Sequence, residues 1–202
     1  MNMKKILSVV LAGAMVIGMN SFAMAAPSIT AALDTNNVKA SEGEVTITKE
    51  VDTTNLPEEG KKGVEALVKA EKGATLLEAF KAAELDLSTI TIQSDLEADG
   101  KEIKTEDLKI LSPVADLVIT GATPTKENPV DVTFTVNNAT DDVEIYVLHY
   151  CEEHSWELLE TEKEENADNQ VKAPFHSASP VALVYTEKAA DAADAAKSPA
   201  TE

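Results

Sequence analysis

The chain has 202 residues, enough for one or two domains, and carries 36 acidic against 17 basic residues for a formal charge of −19. It contains no arginine and a single cysteine, Cys151. Nucleic acid and anionic lipid surfaces would repel a chain this acidic, and one thiol excludes an internal disulfide, so the fold must rest on its core alone.

Taken in order, residues 1–25 read as a secretory signal peptide. Lys4 and Lys5 give a short basic start, an apolar run from Ile6 to about Met19 follows, and Ala23 and Ala25 suit cleavage before Ala26. Cleavage removes two lysines and moves the formal charge from −19 to −21. The expected location is secreted, extracellular or in the cell envelope, with no membrane span after cleavage. The bland role of the charge is solubility there.

Residues 26–44 are polar and predict a flexible N-terminal segment. Residues 45–107 predict a small α+β segment. Val45–Thr48 alternates as a short strand, and Asn55–Gly60 breaks it. Val64, Leu67 and Val68 recur at helical spacing until Gly73. Thr75 is a candidate N-cap for a second helix, with Glu78 closing a capping box and Leu76, Leu77, Phe80 and Ala83 forming its apolar stripe. Thr89–Gln93 alternates again as a strand.

Residues 108–187 predict an antiparallel β-sandwich of Ig-like type. Leu108–Leu111 and Leu117–Thr120 are short apolar segments. In Val130–Val136 the period is two, with Val130, Val132, Phe134 and Val136 on one face. Val143–Tyr150 has the strongest strand character: Val143, Ile145 and Val147 share one face, and Glu144, Tyr146, Leu148 and Tyr150 the other. Apolar bulk on both faces predicts a central strand. Trp156–Leu159, Val171–Phe175 and Val181–Tyr185 complete the set, Pro174 arguing for an edge. Trp156 is read as a core or hairpin anchor. Ser-Pro-Val-Ala occurs at 112–115 and at 179–182, each copy opening an apolar run. Residues 188–202 are rich in Ala and Asp and have nothing to bury, which predicts a disordered tail.

A resemblance runs from about 111 to 185. It is carried by Leu111-Ser112-Pro113-Val114, by Asp116-Leu117 with Gly121, by Pro129–Phe134 and by Val147-Leu148-His149-Tyr150. Trp156-Glu157, Phe175 and Ser179–Ala182 complete it. In order and spacing this stretch resembles a β-sandwich module of secreted and sortase-anchored surface proteins of Gram-positive bacteria. The resemblance implies a stalk or adhesin-like unit without catalytic residues. Anchored members finish with an LPxTG-type motif, an apolar span and a basic tail; the sequence stops at Glu202 with none of them, so covalent wall attachment is not expected.

Three constellations could carry chemistry. His149, Cys151 and His154 have zinc-compatible donors at short spacing, with His176 as a further donor; the simpler reading is a strand and its turn. Asp95, Glu97 and Asp99, with Glu106 at the twelfth place, nearly reproduce a calcium loop. Against it, Glu97 is longer than the usual ligand, and Glu102 stands where an aliphatic residue should pin the loop. The acidic set Glu157, Glu160, Glu162, Glu164, Glu165 and Asp168 reads as a solvated charge run. A hydrolase would need distant acids such as Glu144 and Glu157 to face each other across a cleft. The expectation is an exported, non-enzymatic structural or interaction module with no cofactor and an unidentified protein or glycan partner. A secreted calcium-, zinc- or small-ligand-binding protein is the alternative.

Overall fold

The computed structural model describes residues 32–92, 103–151, 153, 155–164, 167, 169–178 and 180–188. The signal sequence, the calcium-loop residues Asp95, Glu97 and Asp99, the zinc candidate His154, and residues 189–202 lie outside the described residues.

The chain is mainly β, with two helices and two sheets. One sheet is antiparallel and four-stranded: β1 (Ala32–Ala40), β6 (Val130–Asn137), β10 (Gln170–Phe175) and β9 (Glu162–Lys163), in that spatial order. The second runs β2 (Glu44–Thr48), β5 (Ala115–Thr120), β11 (Pro180–Glu187), β7 (Val143–Cys151), β8 (Ser155–Leu159) and β3 (Thr91–Ile92). A seventh strand, β4 (Lys109–Ile110), pairs with β11, and β3 joins β8 in parallel.

β7 is the interior strand its composition predicts, paired along its length with β11 and then β8. Its two faces enter two cores. Val143, Ile145 and Val147 lie between the sheets with Val132, Phe134, Val171, Phe175 and Leu183. Tyr146, Leu148 and Tyr150 pack on the outer side beneath the helices, with Leu67, Phe80 and Trp156.

The helices are α1 (Glu58–Lys69) and α2 (Leu76–Ala82). Glu58 and Glu59 in the first turn of α1 and Lys69 in its last complement the helix dipole. The Thr75/Glu78 capping box at the start of α2 is formed on both sides. Leu76 and Phe80 are buried, whereas Leu77 and Val68 face outward. α1 approaches the sheet through glycines: a Cβ at Gly60 would stand 3.0 Å from the Tyr150 ring, and one at Gly63 would overlap the Trp156 indole. Trp156 is fully buried, with Phe80 and Tyr150 edge-on to it at 5.8 and 5.3 Å, as an anchor should be.

Some local readings give way. Residues 32–40, expected to be loose, form an edge strand on β6 with a register shift between Asp34 and Val38. Of the expected 89–93 strand, Thr91 and Ile92 pair as a strand and Thr89 closes a 3-10 turn capped by Asp86, while Gln93 lies outside the described residues. Pro174 lies where β10 has run past the two residues of β9, so its missing N–H faces an open edge. The two Ser-Pro-Val-Ala words meet across the sheet, Ala115 pairing with Val181 and Asp116 with Pro180. Among the described residues no helix is long and apolar enough to cross a membrane.

Candidate functional site

Strand register assembles the site. His149 of β7 lies opposite Glu157 of β8 and opposite Val181 of β11. Alternation puts His149 on the face of Val147, between the sheets, where its ring stands edge-on to Phe175 at 5.1 Å. His176 follows the end of β10 and stands edge-on to His149 at 5.9 Å. Side chains from two strands and from the turn after a third thus converge at one end of the inter-sheet core.

The donor atoms are close. Glu157 Oε1 is 3.2 Å from His176 Nε2 and 3.7 Å from His149 Nε2, and no donor of the three is more than 4.8 Å from another. His149 and Glu157 are buried; His176 is partly open. The Ser177 hydroxyl lies 3.1 Å from His149 Nε2, and the His149 ring also donates to the Pro180 backbone carbonyl. If the nitrogen that donates to that carbonyl is Nδ1, the neutral ring has its lone pair on Nε2, where the Ser177 hydroxyl can donate to it.

Burial sets the charge state. Desolvation, reinforced by His176, pushes His149 down to about 3. Desolvation pushes Glu157 up to about 7, the Lys126 cation opposing it and Glu153 adding to it. Near neutral pH Glu157 is therefore protonated in a large share of molecules, and its Oε1 stands 3.2 Å from His176 Nε2 without the geometry of a hydrogen bond. Nor is it a nucleophile triad. Ser177 and Glu157 both approach Nε2 of His149, whereas a triad puts serine and carboxylate on opposite ring nitrogens.

His176 lines a cavity of about 680 Å³ at this end of the molecule, together with Ser177, Cys151 and the 124–127 loop. Asp52, Asp116, Glu127 and Glu153 set against Lys126 make the lining acidic. Burial, then the charge of Asp52, raises the Asp116 carboxyl above its ordinary value.

The expected site residues are distributed as follows. His149 is in the trio. Cys151 is buried and lines the adjacent cavity without belonging to it. Glu106 is exposed on a 3-10 turn at Thr105–Asp107. Of the acidic run, Glu162 is exposed, Glu160 and Glu164 are half-buried, and Glu165 and Asp168 lie outside the described residues. Glu157 departs from the run altogether: its place in β8 turns it into the core. Glu144 bonds the Tyr146 hydroxyl at 2.9 Å on the opposite face of the sheet from Glu157, so these two acids do not share a cleft. His176 was legible only as a spare donor, and the signal for Glu157 was a lone charge inside an apolar strand.

Comparison with known family models, curated proteins and solved structures gives no match to this chain.

Proposed function

We propose that this chain is an exported, non-enzymatic interaction module of a bacterial cell envelope, adhesin- or stalk-like, whose two-layer body is an Ig-like β-sandwich. The observation that carries this reading is the acidic recess of about 680 Å³ rimmed by the 52–56, 124–127 and 176–178 segments. Loops held by a paired scaffold present a fixed binding surface. The raised Asp116 carboxyl reflects burial and a like charge that a cationic group would relieve, so the favoured partner is a protein segment bearing lysine or arginine. The signal-like start and the resemblance at 111–185 supply the compartment.

Two measurements test it. N-terminal sequencing of the chain recovered outside a Gram-positive host should begin at Ala26; retention in the cytoplasm with Met1 in place would sink the export reading. Immobilised chain should bind basic envelope proteins in a salt-sensitive way, weakened several-fold by Asp52→Asn with Asp116→Asn. Binding indifferent to both substitutions and to salt would remove the recess from the account. Preference for an uncharged glycan would replace the proposed partner.

A further inference from the structure

We propose that His149, Glu157 and His176 form a two-histidine, one-carboxylate centre for a divalent first-row transition metal, zinc foremost, open toward the adjoining cavity.

The argument starts from distance. Zinc bonds of about 2.0–2.2 Å in tetrahedral array place donor atoms roughly 3.3–3.5 Å apart. The two carboxylate–imidazole separations, 3.2 and 3.7 Å, bracket that edge, and the third does not exceed 4.8 Å. A shared cation therefore needs little movement of the carboxylate and a closure of the widest pair by no more than about 1.5 Å.

Donor chemistry selects the metal. Two imidazoles and one carboxylate suit zinc, cobalt, nickel, copper or iron(II), whereas calcium and magnesium require oxygen ligands throughout. Glu157 Oε1 and His176 Nε2 face each other buried and without a hydrogen bond between them, and a bound ion would engage both together with Nε2 of His149. The Pro180 carbonyl that receives the His149 N–H is the kind of outer partner that fixes tautomer and ring direction at metal sites. Packing against Phe175 holds the same ring from the side.

The position of the trio explains why it would remain open. Three protein donors leave a coordination place, and His176, the partly exposed member, stands at the cavity wall. A water or an anionic group of a partner would take that place. Cys151 lines the same cavity but lies outside the trio, so the proposal is for nitrogen and oxygen donors without thiolate.

The test uses the full chain, stripped with chelator and titrated with zinc alone and then with cobalt(II) as a spectroscopic stand-in. One equivalent of zinc should bind. Cobalt(II) should show visible bands of a four- or five-coordinate site and no thiolate charge-transfer band. His176→Gln, at a partly exposed position, should weaken zinc binding by roughly a hundred-fold or more, and Glu157→Gln likewise, while Cys151→Ser leaves it unchanged. Calcium at equal concentration should produce no response. X-ray absorption of the zinc-loaded natural chain should count two imidazoles, and this reading does not depend on how well any variant folds. A thiolate band, fewer than two imidazoles, or zinc affinity unaltered in a folded His176→Gln protein would overturn the assignment. None of these outcomes bears on the interaction-module reading, which rests on the acidic recess.

Discussion

Gly63 looks, in sequence, like a weak point in a helix, since glycine costs about 1 kcal/mol relative to alanine at an interior position. In the fold it lets α1 lie directly on Trp156, and an added Cβ would overlap the indole. That ring is fully buried and wedged by Phe80 and Tyr150, so it has no free direction in which to yield. Gly63→Ala should therefore destabilise by about 1–3 kcal/mol in urea unfolding instead of gaining the helix-propensity term. A stabilised variant would mean that α1 stands off the sheet. Glu157 gives a second residue-scale prediction, made in chelator. Its folded pKa, about 7, exceeds the ordinary 4.5, so its contribution to stability is full below pH 4.5 and is lost as pH rises through 7. His149 has the reverse sign: folded near 3 against 6.5, its contribution is present above pH 6.5 and is lost as pH falls toward 3. The windows overlap and oppose, so the natural chain should be nearly flat there. Glu157→Gln should instead grow more stable with rising pH, by up to about 3 kcal/mol relative to the natural chain. Parallel pH profiles for the two proteins would show that folding leaves the Glu157 pKa at its ordinary value.

Among the elements, β11 has an interrupted edge, and Ser112 completes it. β5 pairs with Pro180 and Val181 and β4 with Val184 and Tyr185, which leaves a gap around Leu183. Ser112 lies in that gap: its buried hydroxyl accepts from the Leu183 N–H at 2.9 Å, while the Leu183 carbonyl receives the N–H groups of Leu111 and Ser112. Ser112→Ala strands a buried donor and should cost about 1–3 kcal/mol in denaturant midpoint measurements. A loss below a few tenths would mean that water reaches Leu183. Pattern reading found the strands on either side of this gap but could not see the gap, because a two-residue strand carries almost no periodic signal. The edge strand at 32–40 was missed for a related reason. Its residues are mostly half-buried or exposed, so it is held by pairing with β6 rather than by an apolar face.

For the whole molecule, net charge sets a global term. A formal charge of −19 on 202 residues opposes compaction through self-repulsion. Raising ionic strength from 0.01 to 0.15 M shortens the screening length from about 30 to about 8 Å. Tm of the metal-free chain should therefore climb steadily with sodium chloride across that range. A flat or falling Tm would show that local ion pairs such as Lys109–Glu187, at 2.6 Å, outweigh the long-range repulsion. Two cores on the two faces of one sheet also tie the helices to the strands: β7 contributes Val147 to one and Leu148 to the other, so damage to either core is felt through the same strand.

Alternation alone determined that β7 is interior and which of its side chains share a face. Local hydrogen-bonding chemistry determined the capping box at Thr75, because such signals involve residues three or four apart. Only tertiary structure decided the candidate site. His149 and Glu157 belong to neighbouring strands and His176 to the turn after β10, and their meeting depends on register, the length of the β7–β8 hairpin and the return of β10. In sequence Glu157 reads as the first of a run of exposed acids. Its burial, and with it the raised pKa and the short contacts to two imidazoles, follows from a strand parity that only the packed sheets fix.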